Sequence, residues 1–117
     1  MIIHVKVKFI NITFNVYLYR LNKAHGFMVW TDEEIKGKVL HKLTRLGKFD
    51  HAHTSIDNLP KGFPSDLRGR VKDLVKELIK ERILLTKPTH YGVEVSVDTG
   101  EREKVMDYID IFLKKKD

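Results

Sequence analysis

Three stretches of this chain hold side chains able to do chemistry. The first, "DHAHTS", sets His51 and His53 two residues apart beside Asp50, with His41 on the segment before. In an extended backbone alternate side chains share a side, so the two imidazoles would face one cation. The chain has no cysteine to complete a structural zinc site and no HExxH-type spacing, so no metal is expected and His53 is read as a donor to the following loop. The second, "SDLRGRVKDLVKELIKER", studs one polar side with Ser65, Arg68, Gly69, Lys72, Lys76 and Lys80. The third, "KPTHYGVEVSV", puts Lys87, Thr89, His90 and Tyr91 ahead of an alternation of Val93, Val95 and Val97. Catalytic templates are missing: there is no GxSxG, no phosphate-cradling glycine loop and no thiol nucleophile. Asp57 and Asp107 have no evident partner, and neither an enzyme nor a cofactor is expected.

These residues need elements to hold them. "TDEE" has capping-box spacing, with the Thr31 hydroxyl accepting from the Glu34 amide and the Glu34 side chain reaching back. The helix it opens carries Ile35, Val39, Leu40, Leu43 and Leu46 inward, and Gly47 ends it. Thr54 or Ser55 can cap a single turn through Ile56 and Leu59, after which Pro60, Gly62 and Pro64 break the chain. Ser65 is expected to cap the next helix, where Leu67, Val71, Leu74, Val75 and Leu78 share one face at about 100° per residue. Its charges are mixed: over residues 65 to 82 six basic residues stand against four acidic ones, a net +2. The plain reading of its outer side is a solvated face with neighbouring pairs, Asp73 with Lys76 and Arg70 among them. Strands over Ile83 to Thr86 and Val93 to Val97 form a hairpin, with Pro88 stiffening the entry and Gly92 supplying the turn. A last helix starts near Asp98, where Asp98 and Glu101 repeat the capping-box spacing. It turns Val105, Met106, Ile109, Phe112 and Leu113 to an apolar side before running out into Lys114, Lys115 and Lys116.

A chain of 117 residues is one domain's length and can bury a core without staples. A net charge of +6 favours an anionic partner. Glutamine is absent while charged residues reach 32%, a composition that leans towards a heat-adapted cytosolic protein. Phe9 to Leu21 is too short and too interrupted, by Asn11, Thr13, Asn15 and Arg20, for a membrane span or signal peptide. The expectation is therefore cytoplasmic, with no membrane. Residues 1–27 stand apart, since every acidic residue lies at position 32 or beyond. Their alternation reads either as a β-rich addition to a sheet or as an extension ahead of a second start at Met28.

The order helix, short helix, helix, hairpin resembles a winged helix-turn-helix domain over roughly residues 30 to 98. The wording "HTSIDNLPKGFPSDLRG" followed by "KPTHYGVEVSV" is also similar to a group of short uncharacterised archaeal helix-turn-helix proteins. The fold class implied is α+β: a three-helix core with a β-hairpin wing over 28–98, an N-terminal β extension over 1–27, and a C-terminal helix with a basic tail over 99–117. The resemblance makes the third helix the recognition helix and "TKPTHYGVE" the wing, and it makes double-stranded DNA the expected partner of a transcription regulator or chromosome-associated protein. Arg68 would then fork onto guanine from the major groove, with Ser65 beside it, and Gly69 would let the helix backbone approach the duplex. Lys72, Lys76 and Lys80 would meet phosphates, while Lys87, Thr89 and His90 would lie along the flanking backbone. Tyr91 is expected to pack into the core.

The apolar face of the last helix is broad, and in dimeric winged-helix regulators such a helix pairs with its twin. A homodimer through this helix is expected, the other reading being that it packs on the first helix. The alternative function is a protein-interaction winged helix within a larger assembly, kept open by the mixed charge of the third helix. RNA ranks below both for want of an exposed aromatic pair. No small-molecule ligand is evident.

Overall fold

The computed structural model describes residues 29–116, and the chain divides into two compact units, Met1–Thr31 and Asp32–Asp117. The expected β-rich stretch over 1–27 lies outside the described residues. The second unit is α+β, three helices with a small three-stranded antiparallel sheet. Helix α1 spans Asp32–Arg45, one residue after Thr31. Asp32, Glu33 and Glu34 in its first turn and Lys42 and Arg45 in its last both complement the helix dipole. Gly47 (φ 68°) stops it in a left-handed turn. There the Gly47 and Lys48 amides donate to the Thr44 and Leu43 carbonyls, at 3.0 and 2.9 Å. Ile35, Val39, Leu40 and Leu43 are buried as expected. Leu46 is not: it stands past Arg45, at the cap, and is 54% exposed.

Beyond the turn, residues 48–50 run beside the end of the sheet, where Val97 donates to Lys48 and accepts from Asp50. Strand β1, Thr54–Ser55, is short and leads into a 3₁₀ turn, Ile56–Asn58, which the Ser55 hydroxyl caps by accepting from the Asp57 amide at 3.2 Å. Lysines of α1 tie the segment that follows: Lys42 Nζ donates to the Asn58 and Lys61 carbonyls, and Lys38 Nζ to that of Gly62. Leu59 and Phe63 go inward. The second long helix enters differently from the expectation. Ser65 makes no side-chain cap; Ser65–Leu67 is a 3₁₀ turn, and helix α2 proper is Arg68–Lys80. The cause lies just upstream, where Pro64 is extended and its carbonyl accepts from the Leu67 amide.

Strands β2, Leu84–Thr89, and β3, Gly92–Val97, are longer than the sequence suggested and join through only His90 and Tyr91. The sheet order is β1-β3-β2, with Thr54 opposite Val95 and Leu84 opposite Val97. Asp98 caps a 3₁₀ turn, Thr99–Glu101, through the Gly100 amide at 2.9 Å, and helix α3 runs Arg102–Lys116. It packs on α1, burying Val105, Ile109 and Phe112, whereas Met106 and Leu113, expected inward, stay 49% and 38% exposed. Nor is Lys115 a solvated tail residue. Its side chain is 2% exposed and pairs at 3.1 Å with Glu34, the residue read as Thr31's capping partner. Gly37 permits the helices this proximity, since a Cβ there would land 2.8 Å from Phe112 Cβ and closer still to the Tyr108 carbonyl.

Candidate nucleic-acid interface

The apolar residues of α2, Val71, Leu74, Val75 and Leu78, fix which side of the helix faces solvent. Arg68, Lys72, Lys76 and Lys80 lie on the remaining side, each four residues on and about 40° round from the last, so they form one rising row. All four are exposed, as is Gly69 beside them, and a Cβ built at Gly69 would meet nothing. Ser65 is exposed in the preceding turn. Arg68 opens the helix proper, and its Nε donates to the Phe63 carbonyl at 3.4 Å. That long bond orients the guanidinium without using its two terminal nitrogens.

The acidic residues of the same helix form a separate row, Asp73, Glu77 and Glu81, about 100° round from the lysines. Two of them turn to α1, where Lys36 Nζ lies 3.5 Å from Glu77 and 3.6 Å from Glu81. Tyr108 of α3 joins them, its hydroxyl donating to Glu81 at 2.9 Å and its ring centred 5.5 Å from the ammonium. Burial works to lower the Lys36 pKa, but Tyr108, Glu81 and Glu77 together outweigh it and hold the ammonium above its ordinary value. Burial, then the bond to Glu81, raises Tyr108 as well. The expected pairing of Asp73 with Arg70 does not form. Arg70 reaches across to Asp32 instead, with Nε at 2.9 Å and a terminal nitrogen at 2.6 Å. Helical neighbours compete poorly with a carboxylate placed opposite by the fold, which a single helix cannot reveal.

Between α2 and the Ile56–Asn58 turn lies a cleft of about 240 Å³, with Ile56, Pro60 and Val75 on its walls and Lys72, Lys76 and Asp57 on its rim. Lys42, which the charge count alone would add to a basic surface, is committed to carbonyls; burial lowers its pKa, and Lys61 and Arg45 add to the effect.

The hairpin arranges its polar residues less simply. Lys87 and Thr89 alternate along one face of β2, with Lys87 opposite Glu94. The Thr89 hydroxyl, expected to meet a partner, closes the turn: it donates to the Gly92 carbonyl at 2.6 Å and accepts from the Tyr91 amide at 3.2 Å. His90 is exposed. Tyr91 is 97% exposed, against the expectation that it packs inward. It sits at a two-residue tip, beyond any residue that could cover it. An alternating strand pattern cannot say where the core stops along a hairpin.

The "DHAHTS" stretch turns rather than extends, with Asp50 at φ 50°. The Asp50 carboxylate accepts from the Thr99 amide at 3.2 Å and from its hydroxyl at 2.9 Å, which in that order hold its pKa below the usual carboxylate range. Among the described residues no group of three His, Asp or Glu side chains could hold a metal, and no helix is long and apolar enough to cross a membrane. No family model, curated protein or solved structure matches the chain.

Proposed function

We propose that this chain is a winged-helix protein that binds double-stranded DNA, with α2 in the major groove and the β2–β3 hairpin along the flanking backbone. One observation carries the reading. The charge of α2 is mixed in composition but sorted in space, since Glu77 and Glu81 share Lys36 as a partner on one side while Arg68, Lys72, Lys76 and Lys80 stand in an exposed row. A row of cations at helical spacing is what a phosphate backbone attracts, and an arginine in the first turn is where base edges come within reach. The order of elements and the sheet order β1-β3-β2 are compatible with a winged-helix arrangement. The role follows as a transcription regulator or chromosome-associated factor. Met106 and Leu113, seven residues apart on α3 and part-exposed, are the surface through which a homodimer would form.

Titration of a fluorescent 20-base-pair duplex at two salt concentrations tests this. Four phosphate contacts predict an affinity that drops about a hundredfold between roughly 50 and 200 mM salt. Arg68→Ala should cost about 1–3 kcal/mol at a preferred site and relax the sequence preference. No binding at low salt would shift the function to docking of a protein partner within an assembly.

A further inference from the structure

The Tyr91 ring has no role in the fold. At 97% exposure it packs on nothing in the core, and the turn around it is closed by the Thr89 hydroxyl and the Tyr91 backbone amide, not by the phenol. Single exposed apolar residues are ordinary on protein surfaces. Here, however, three further features coincide. The tip is tight, with Pro88 in β2, only two residues in the turn and the Thr89 hydroxyl closing it. The His90 ring stands edge-on to Tyr91 at 5.9 Å between centroids, which limits the positions the phenol can take. Below the tip, part-exposed Val93 pairs across the strands with Pro88 on one face of the hairpin, while Lys87 lies on the other face opposite Glu94. An exposed aromatic ring above an apolar surface is what a nucleobase stacks on.

Inside a duplex every base face is already covered by its neighbours. A protruding ring can stack only where a face is open, at a duplex end, a fork or an unpaired base. We infer that Tyr91, steadied by His90, is a base-stacking residue that gives this protein a preference for duplex DNA carrying an unpaired base over continuous duplex. The inference rests on the DNA-binding reading and names the kind of DNA bound.

Two duplexes with identical blunt ends separate the possibilities: one fully paired throughout, and the same duplex with a single unpaired 2-aminopurine at its centre, so that the ends contribute equally to both. The wild type should bind the duplex with the unpaired base roughly tenfold tighter than the fully paired one and quench the 2-aminopurine. Tyr91→Ala should abolish both the preference and the quench, so that the two duplexes bind alike. Tyr91→Phe should keep both, because stacking needs the ring and not the hydroxyl. Since the side chain is almost wholly exposed, neither variant should disturb folding, and an unchanged melting temperature would establish that. Equal binding of the two duplexes, or a Tyr91→Ala variant that still prefers the unpaired base, would overturn the stacking site and leave general duplex binding standing. Absence of binding to either would overturn both.

Discussion

At Gly69 a Cβ would meet open space, so the fold itself does not ask for glycine there. Glycine costs a helix up to about 1 kcal/mol relative to alanine, less near an end. Gly69→Ala is therefore expected to stabilise the protein by roughly 0.5 kcal/mol, seen as a small rise in melting temperature. If the helix backbone lies against DNA, the same substitution should weaken binding several-fold, and the two effects of opposite sign would identify the residue as functional. A gain in stability with unchanged affinity would remove Gly69 from the interface. Arg68 and Tyr91 present the same contrast in other forms, for each has a side chain the core does not use. The sequence put Arg68 on the outer face because helical spacing locates the buried face. It put Tyr91 on the wrong side because a hairpin tip extends past the core by an amount that alternation does not encode.

At the scale of elements, the pairing of α1 with α3 decides more than either helix does. Gly37→Ala should be among the most damaging substitutions in the unit, since the added carbon would run into the Tyr108 carbonyl and Phe112 Cβ, and backbone cannot yield as a side-chain tip can. A loss of about 3 kcal/mol or more is expected from overpacking of this kind, measured by denaturant unfolding. A loss below about 1 kcal/mol would mean that the helices can slide apart at little cost. The helix faces themselves were readable: Ile35, Val39, Leu40 and Leu43 on α1, and Val71, Leu74, Val75 and Leu78 on α2, are buried as their spacing requires. Caps were readable where one side chain meets its own backbone, as at Ser55 and Asp98. At Ser65 the rule failed, because an extended Pro64 let backbone bonding shape a 3₁₀ turn instead.

For the whole unit, Lys36 is the point where all three helices meet, through Glu77 and Glu81 of α2 and Tyr108 of α3. Its folded pKa is raised above the ordinary 10.5, so its stabilisation is complete below that value and is lost as pH climbs through the folded pKa. Tyr108, raised above 10.0, acts in the same direction, because the unfolded chain gives up that proton first. Thermal melts should therefore hold steady through neutral pH and fall above about pH 10, and Lys36→Met should make that fall shallower. The variant should also weaken DNA binding several-fold, since Glu77 and Glu81 would then repel phosphate from the helix that carries the basic row. A wild-type melting temperature that is flat up to about pH 11 would refute the shared network.

By itself the sequence determined the buried faces of α1 and α2, the existence of the hairpin, the absence of thiol chemistry and a positive charge in search of an anion. Each of these is a local property, carried by residue type or by a period of about 3.6 or 2. Tertiary structure alone decided which charges remain available. Within α2 five basic residues stand against two acidic ones, and Glu77, with Glu81 at the helix end, is drawn towards Lys36 on another helix, away from the basic row. The same holds for Arg70, taken up by Asp32, and for Lys115, buried against Glu34. A charge acts through what lies within a few ångströms of it, and those neighbours come from distant parts of the chain.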